Sequence, residues 1–427
     1  MTEVGTAPAA DPGPVPVATT PAGTPVLDPL DPATQARLDV LVAELHADGH
    51  WLYQGPLWTT VISDADARDL WRDDRFATPM TSMLALQGIT EGPLHARTQR
   101  NILALEGDDH SRVRRLVSPS FTPRSVARLR PRMRSYLHDR IDEVGPAGRC
   151  ELVSAIAETY PIAIIGDVVG APPADWPLLS RLADTVMQVV GFDVAALQGE
   201  IEAAYVELEA YIDALVAERR RAPTEDLLSD LVRASDADGD RLAALELRDL
   251  VTSLLLGGTD TTRNQLGLAV LHLARQPDQW ARLGDDPAAV PAAVDEVLRF
   301  DPTASGTMRV AKEEVTYRDV TFPAGSMVML SSSASNRDPA VVGCPDAFDT
   351  AANRPGWSSL AFGTGRHFCL GANLARAELQ EALTILPARL RDLRLDGEPE
   401  VKPAMGLHGL ARLPVAFTHR PRTAAPT

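Results

Sequence analysis

The chain has 427 residues, 45% of them hydrophobic and 23% charged, enough to bury a large core and too apolar for a disordered polymer. Lys+Arg total 41 against 58 Asp+Glu, a formal charge of -17, which sets the surface against nucleic-acid phosphates and anionic lipid. Cys150, Cys344 and Cys369 lie far apart and offer neither a disulfide framework nor paired zinc spacing, so a reducing cytoplasm is expected. No apolar run reaches the ~20 residues that span a bilayer. The N-terminus lacks the order of a secretion signal, so no membrane anchor is expected.

In chain order, residues 1–26 are Pro, Ala, Thr and Gly with few large apolar side chains and read as a flexible tail. Leu38, Leu41, Val42 and Leu45 mark an amphipathic helix face, and Trp51 to Ser63 reads as a hairpin. Pro79, Gly88, Gly92 and Pro93 break any period across 77–105, which reads as one long loop. Helical patterns follow at about 109–118, 123–144, 150–170, 173–190, 195–221 and 225–234. Arg219, Arg220 and Arg221 end one of them as a solvated helix C-terminus. The longest pattern runs from about Leu245 to Arg275, and two more occupy 290–300 and 370–390. Strand-like runs fill 306–330 and 396–417, and a second tail covers 419–427. The fold class is mainly α with small β-sheets, and length alone suggests two to three domains.

Chemistry concentrates in Phe362-Gly363-Thr364-Gly365-Arg366-His367-Phe368-Cys369-Leu370-Gly371. The glycines allow a tight turn. A helix starting after Cys369 places its sulfur where N–H groups and dipole lower a thiol pKa. That setting suits a nucleophile or a single axial metal ligand; a buried structural cysteine is the plainer alternative. The run resembles the haem-binding loop of cytochromes P450. The resemblance implies that Cys369 is the thiolate ligand of haem iron, that Phe362 packs near the sulfur, and that Gly363 and Gly365 let backbone N–H groups approach it.

Other segments resemble the same family. Glu296 and Arg299 lie at i,i+3, by themselves an ordinary surface pair. By resemblance they join Arg354, eight positions before Phe362, in a buried charge network under the haem loop, although Phe348 to Arg354 runs about two residues longer than the family pattern. Leu256-Gly257-Gly258-Thr259-Asp260-Thr261-Thr262 places two glycines inside the longest helix, at roughly 1 kcal/mol each relative to alanine. A strained helix contact would account for that; so would a local opening for a small ligand. The segment resembles the oxygen-binding motif, with Gly257 in its first position and Gly258 beside the cofactor. Thr261 would then hydrogen-bond the bound oxygen and Asp260 would relay protons. His110 and Arg114, at i,i+4, resemble propionate partners, together with Arg309 and His367. Arg112, Arg115, Arg366 and Arg376 form either a solvated face or a docking patch for an acidic electron carrier.

The resemblance covers about residues 32–417 and implies the cytochrome P450 fold: one large domain, 27–418, with helix-rich and strand-rich lobes. Asn336-Arg337-Asp338-Pro339 and Gly406-Leu407-His408 add landmarks. It implies haem b (iron protoporphyrin IX), O2 as co-substrate, and electrons from NAD(P)H through a separate reductase and a ferredoxin or flavodoxin, since no dinucleotide fingerprint is present. The expected reaction is monooxygenation of a hydrophobic small molecule by a monomer. A hydrogen-peroxide-driven peroxygenase, disfavoured by the intact Asp260–Thr261 pair, and a non-catalytic haem-thiolate binding protein are the rivals. By the same resemblance Met83, Leu84, Ile102, Leu103, Leu256 and Leu407 line the substrate pocket.

Overall fold

The structure is a computed structural model and describes residues 15–191, 193–236, 242–352, 354–402 and 407–422. The helix Ala244–Ala274 spans 31 residues, about 46 Å at 1.5 Å per residue, and most of its surface is buried. Glu246 starts it, its carboxylate accepting from the N–H of Ala243 at 2.8 Å. Around it pack the helices Thr159–Val169, Trp176–Met187, Val194–Arg221 and Ala372–Arg389. These helices share one apolar core with the sheet of Arg149–Glu151, Pro414–His419 and Leu390–Leu395.

The second lobe is built on a five-stranded sheet in the order Leu52–Gln54, Thr59–Val61, Met327–Ser331, Gly306–Ala311, Phe76–Ala77. Only Thr59–Val61 and Met327–Ser331 run parallel; the other neighbours are antiparallel, with Phe76 opposite Ala311 and Met308 opposite Met329. A separate core of Leu52, Val61, Leu70, Trp71, Phe76, Phe322, Val328 and Leu360 backs this sheet. The two cores are the two lobes of a single domain. Among the described residues, no helix is long and apolar enough to cross a membrane.

Several expectations change. The supposed loop 77–105 holds two helices, Met80–Leu86 and Pro93–Arg100. Each is too short for a period to stand out, and Gly92, at φ 94°, turns the chain into the second. The pattern at 123–144 is two helices, Pro123–Ala127 and Arg130–Val144. The start of the 150–170 pattern is the strand Arg149–Glu151. The helices Asp64–Arg72 and Pro277–Asp285, of nine residues each, escape the pattern reading. Of the presumed tail, residues 1–14 lie outside the described residues, but Thr19 and Thr321 exchange two backbone hydrogen bonds of 2.8 and 3.0 Å. At the other end His419 completes the strand Pro414–His419, and the Arg420 N–H donates to Arg389 O at 2.8 Å. Neither stretch needs large apolar side chains, because backbone pairing supplies the contact. Arg219 is not solvated either: it is buried, with Nε 2.5 Å from Asp226 Oδ2 and Nη2 2.6 Å from Gly170 O.

Candidate active site

The cysteine loop is held from the strand-rich side. Gly363 and Gly365 adopt φ of 64° and 74°, a region costly for other residues. A Cβ on Gly363 would sit 3.2 Å from Trp71 Nε1, and one on Gly365 would sit 3.0 Å from Trp71 O. The loop closes on itself where the Cys369 N–H donates to Phe362 O at 3.0 Å. Phe362 lies under the Arg376 guanidinium, 5.4 Å from its ring centre. The N–H groups that approach the sulfur belong to Gly371 and Ala372, at the start of the following helix, not to Gly363 or Gly365. The glycines serve the turn and the close approach to Trp71.

Burial pushes the Cys369 thiol up, and those two N–H groups and Arg114 only partly offset it. This reverses the lowering expected from the helix N-terminus alone. A stable thiolate here calls for a further positive charge, which a metal ion at the sulfur supplies. Cys369 keeps accessible surface despite its crowded surroundings, as a group on the wall of a recess does.

Four basic side chains gather beside this loop. His110 is buried, its Nδ1 has no partner among the described residues, and its ring centre lies 4.3 Å from that of His367. Burial, with the charges of His367 and Arg114, pulls its pKa down to about 4. Arg309 is buried with one hydrogen bond, to Met308 O at 3.3 Å, and burial lowers its pKa to about 10. Arg114 donates to Phe368 O at 2.5 Å and is also lowered by burial. The nearby carboxylate is Glu106, with Oε2 3.4 Å from His367 Nε2. Positive capacity exceeds negative in a buried place, and unpartnered ring nitrogen is left over. Two carboxylates of a ligand fit that excess, so the residues present fit haem with its propionates.

In the long helix the Thr261 hydroxyl donates to Gly257 O at 2.9 Å, a back-bond that loosens the helical ladder. The two glycines differ. A Cβ on Gly258 would meet Ile165 Cγ1 at 2.8 Å, whereas one on Gly257 would meet nothing within 4 Å. Gly258 is therefore fixed by packing against the Thr159–Val169 helix, a correction to its reading as a cofactor contact, and the open side belongs to Gly257. Asp260 is buried and its carboxylate pairs with Arg263, which reaches Asp184 at 3.1 Å. Burial raises the Asp260 pKa; Arg263 opposes this and Asp184 adds to it.

Glu296, Arg299 and Arg354 meet as a group. Glu296 accepts from Arg299 Nε and Nη2 at 2.8 Å each, from Arg354 Nη1 at 2.7 Å and from the Asp349 N–H at 2.8 Å. Arg299 also donates to Pro345 O and Ala347 O, both at 2.7 Å. The one carboxylate serves both guanidiniums: the fully buried Arg299 has it as counter-charge, and Arg354 keeps a side chain 19% exposed, so burial of the Glu296–Arg299 pair is tolerable.

The pocket candidates separate. Leu84 and Leu256, 1% and 5% exposed, belong to the main core and are corrected to core residues. Met83 and Ile102 are partly buried against the cores, Leu103 is 54% exposed, and Leu407 pairs with Ala304. Three arginines of the proposed docking patch already hold carboxylates: Arg112 with Glu246, Arg366 with Asp74 and Arg376 with Asp295. Glu106, Trp71, Arg263 and Asp184 were not singled out from the sequence. Spacing could have found two of them: Glu106 lies at i,i+4 from His110, and Arg263 at i,i+3 from Asp260. Trp71 and Asp184 leave no such local signal.

A cysteine in a glycine turn, a basic cluster fit for carboxylates and a long helix carrying a threonine back-bonded beside an uncovered glycine fit a haem-thiolate oxygenase. The cytochrome P450 family model matches residues 179–286 and 288–419. The chain is 34% identical over 369 residues to luteothin monooxygenase of Streptomyces thioluteus, covering 86% of this chain and 90% of that one. It is 40% identical over 306 residues to nocardicin C N-oxygenase of Nocardia uniformis subsp. tsuyamanensis, covering 71% and 75%. The crystal structure of CalO2 superposes with a TM-score of 0.86 at 29% identity, covering 92% of this chain and 99% of that one. The chain belongs to the cytochrome P450 family and is a haem-dependent monooxygenase.

Proposed function

We propose that this monooxygenase oxidises a hydrophobic small molecule and takes electrons singly from NAD(P)H through a separate ferredoxin reductase and a ferredoxin, in the cytoplasm. Cys369 is the haem ligand in this reading. His110, Arg114, Arg309 and His367 take the propionates, and Glu106 orients His367. Bound there, haem supplies oxygen activation. The chain's own residues handle binding and protons. Asp260, paired with Arg263 and with its pKa raised by burial, is the group assigned to proton delivery, and Asp184 on the other side of Arg263 is half-exposed. Thr261 presents its hydroxyl at the open side of Gly257. Met83, Ile102, Leu103 and the turn at Leu407 contact the substrate, and their apolar character supports a substrate without fixed charge. Arg115, exposed and on the same helix as Arg114, is the cation we assign to the electron carrier.

The observation that carries the reading is the buried excess of basic groups beside the cysteine loop. The test is the carbon monoxide difference spectrum of the dithionite-reduced, haem-supplied protein. A strongly red-shifted Soret band is expected. A band at the position of histidine-ligated haem, or no haem spectrum, overturns the assignment of Cys369.

A further inference from the structure

In the last turn of the long helix, His272 Nε2 lies 2.6 Å from Asp301 Oδ2, and His408 Nε2 lies 3.2 Å from Asp301 Oδ1. Three separate segments therefore meet at one carboxylate: the long helix, the residue that closes the helix Val290–Phe300, and the chain at 407–408. The backbone around it is tied as well. The Gln265 side-chain amide donates to Asp301 O at 2.9 Å, and the Thr303 N–H donates to Gln265 Oε1 at 2.9 Å. The Thr303 hydroxyl donates to His408 O at 2.7 Å, and the His408 N–H donates to Thr303 O at 2.7 Å. Leu407 pairs with Ala304 beside these bonds. Gln265 is one helical turn beyond Thr261. The chemistry derived above uses none of the polar groups in this cluster.

We propose that Asp301, held between His272 and His408, is a positioning residue that fixes the Leu407 turn against the long helix and so sets the shape of the substrate recess. The proposal rests on the assignment of Leu407 to that recess. The Asp301 carboxylate meets a side chain of each of the other two segments. The two imidazoles hold it well below the usual carboxylate range in spite of its burial. Asp301 raises the His408 pKa against burial, and Asp39 adds to this. Asp39 is itself 3.5 Å from Arg337. Phe300 and Phe348 flank His272 at ring distances of 5.0 and 5.5 Å. His408 is the member with a raised pKa. Its charged bond to Asp301 is complete at low pH and weakens as pH rises through its raised pKa.

The test titrates the haem-loaded full chain, at one pH, with imidazole and with 4-phenylimidazole. The first is too small to reach the wall of the recess, and the second extends an apolar ring into it. Asp301→Asn should weaken 4-phenylimidazole about ten-fold, the loss of a charge-assisted bond, and leave imidazole unchanged. His408→Gln, which keeps a donor but no charge, should fall between. Equal weakening of both ligands, or no change in either, overturns the proposal. If the unaltered protein binds 4-phenylimidazole no more tightly than imidazole, the recess reading itself fails, and that result is visible before any variant is made. Nitrogen NMR of labelled histidines gives a readout independent of ligand. His408 should titrate above the ordinary histidine range and return towards it in Asp301→Asn; an unmoved titration overturns the clasp. Should Asp301→Asn not load haem, His408→Gln carries the two ligand titrations, and the raised His408 titration is read in the unaltered protein.

Discussion

Replacing Glu296 by glutamine keeps the side chain's shape and removes its charge. In the native protein this carboxylate accepts four hydrogen bonds, three of them from arginines, and both Glu296 and Arg299 are 0% exposed. Glutamine offers one oxygen in place of two and turns an amide N–H2 towards donors. Arg299 is left as a buried cation without a counter-charge, at a cost of about 3–5 kcal/mol. Unfolding entropy of about 2.1 cal/mol/K per residue gives about 0.9 kcal/mol/K for a chain of 427 residues. The melting temperature of the haem-loaded protein should therefore fall by about 3–6 °C. Arg354 has a side chain 19% exposed, so water compensates part of its loss, and Arg354→Ala should cost less than Glu296→Gln. Calorimetry of the three proteins at one scan rate decides this. A fall below about 1 °C for Glu296→Gln, or an Arg354→Ala effect as large, refutes the account of a buried Glu296–Arg299 pair.

Thr261→Ala removes the back-bond to Gly257 O and the hydroxyl at the open side; NADPH consumption should continue while product falls and hydrogen peroxide rises. Unchanged product per NADPH would take Thr261 out of proton handling. Cys369→His should abolish the red-shifted carbon monoxide band and the monooxygenation, and retained activity would refute the ligand assignment. Arg309→Gln should weaken haem retention, measured by transfer to apomyoglobin, because a buried cation facing a propionate is lost; equal transfer rates would remove Arg309 from the propionate site. For pH, His110 has a folded pKa of about 4, below the ordinary 6.5, so protons bind the unfolded chain better. The stability of the haem-free protein should be complete above 6.5 and decline as pH falls towards 4; His110→Asn should flatten that slope in urea titrations, and an unchanged slope would count against a buried neutral His110.

The parts of the site legible in the sequence are those whose chemistry lies in one short run. Phe362 to Gly371, Gly257 to Thr261, and Glu296 with Arg299 each sit on a single turn or helix, where spacing fixes neighbours. Gly258 shows the limit of such reading: the residue type is legible, but whether its missing side chain makes room for a ligand or for Ile165 depends on a helix far away in sequence. Trp71 and Asp184 were invisible for the same reason. The sign of the Cys369 shift failed because local dipoles are readable from the sequence and burial is not. The helices at Met80–Leu86 and Pro93–Arg100 escaped because proline and glycine punctuate segments shorter than the window needed to see a period.

The five-stranded sheet carries a consequence for how the protein is made. Its strands Thr59–Val61 and Phe76–Ala77 find their partners at 306–331, with Val61 opposite Leu330 and Phe76 opposite Ala311. Much of the helical lobe is encoded between them, and the helix Ala372–Arg389 with the strands Leu390–Leu395 and Pro414–His419 follows. During synthesis the helices leave the ribosome able to condense on one another, while the first strands wait with unsatisfied edges for most of the chain to follow. Pairing of those strands with 306–331, rather than assembly of the first helices, is then the step that brings the lobe carrying Trp71 together with the cysteine loop, and haem capture waits for it.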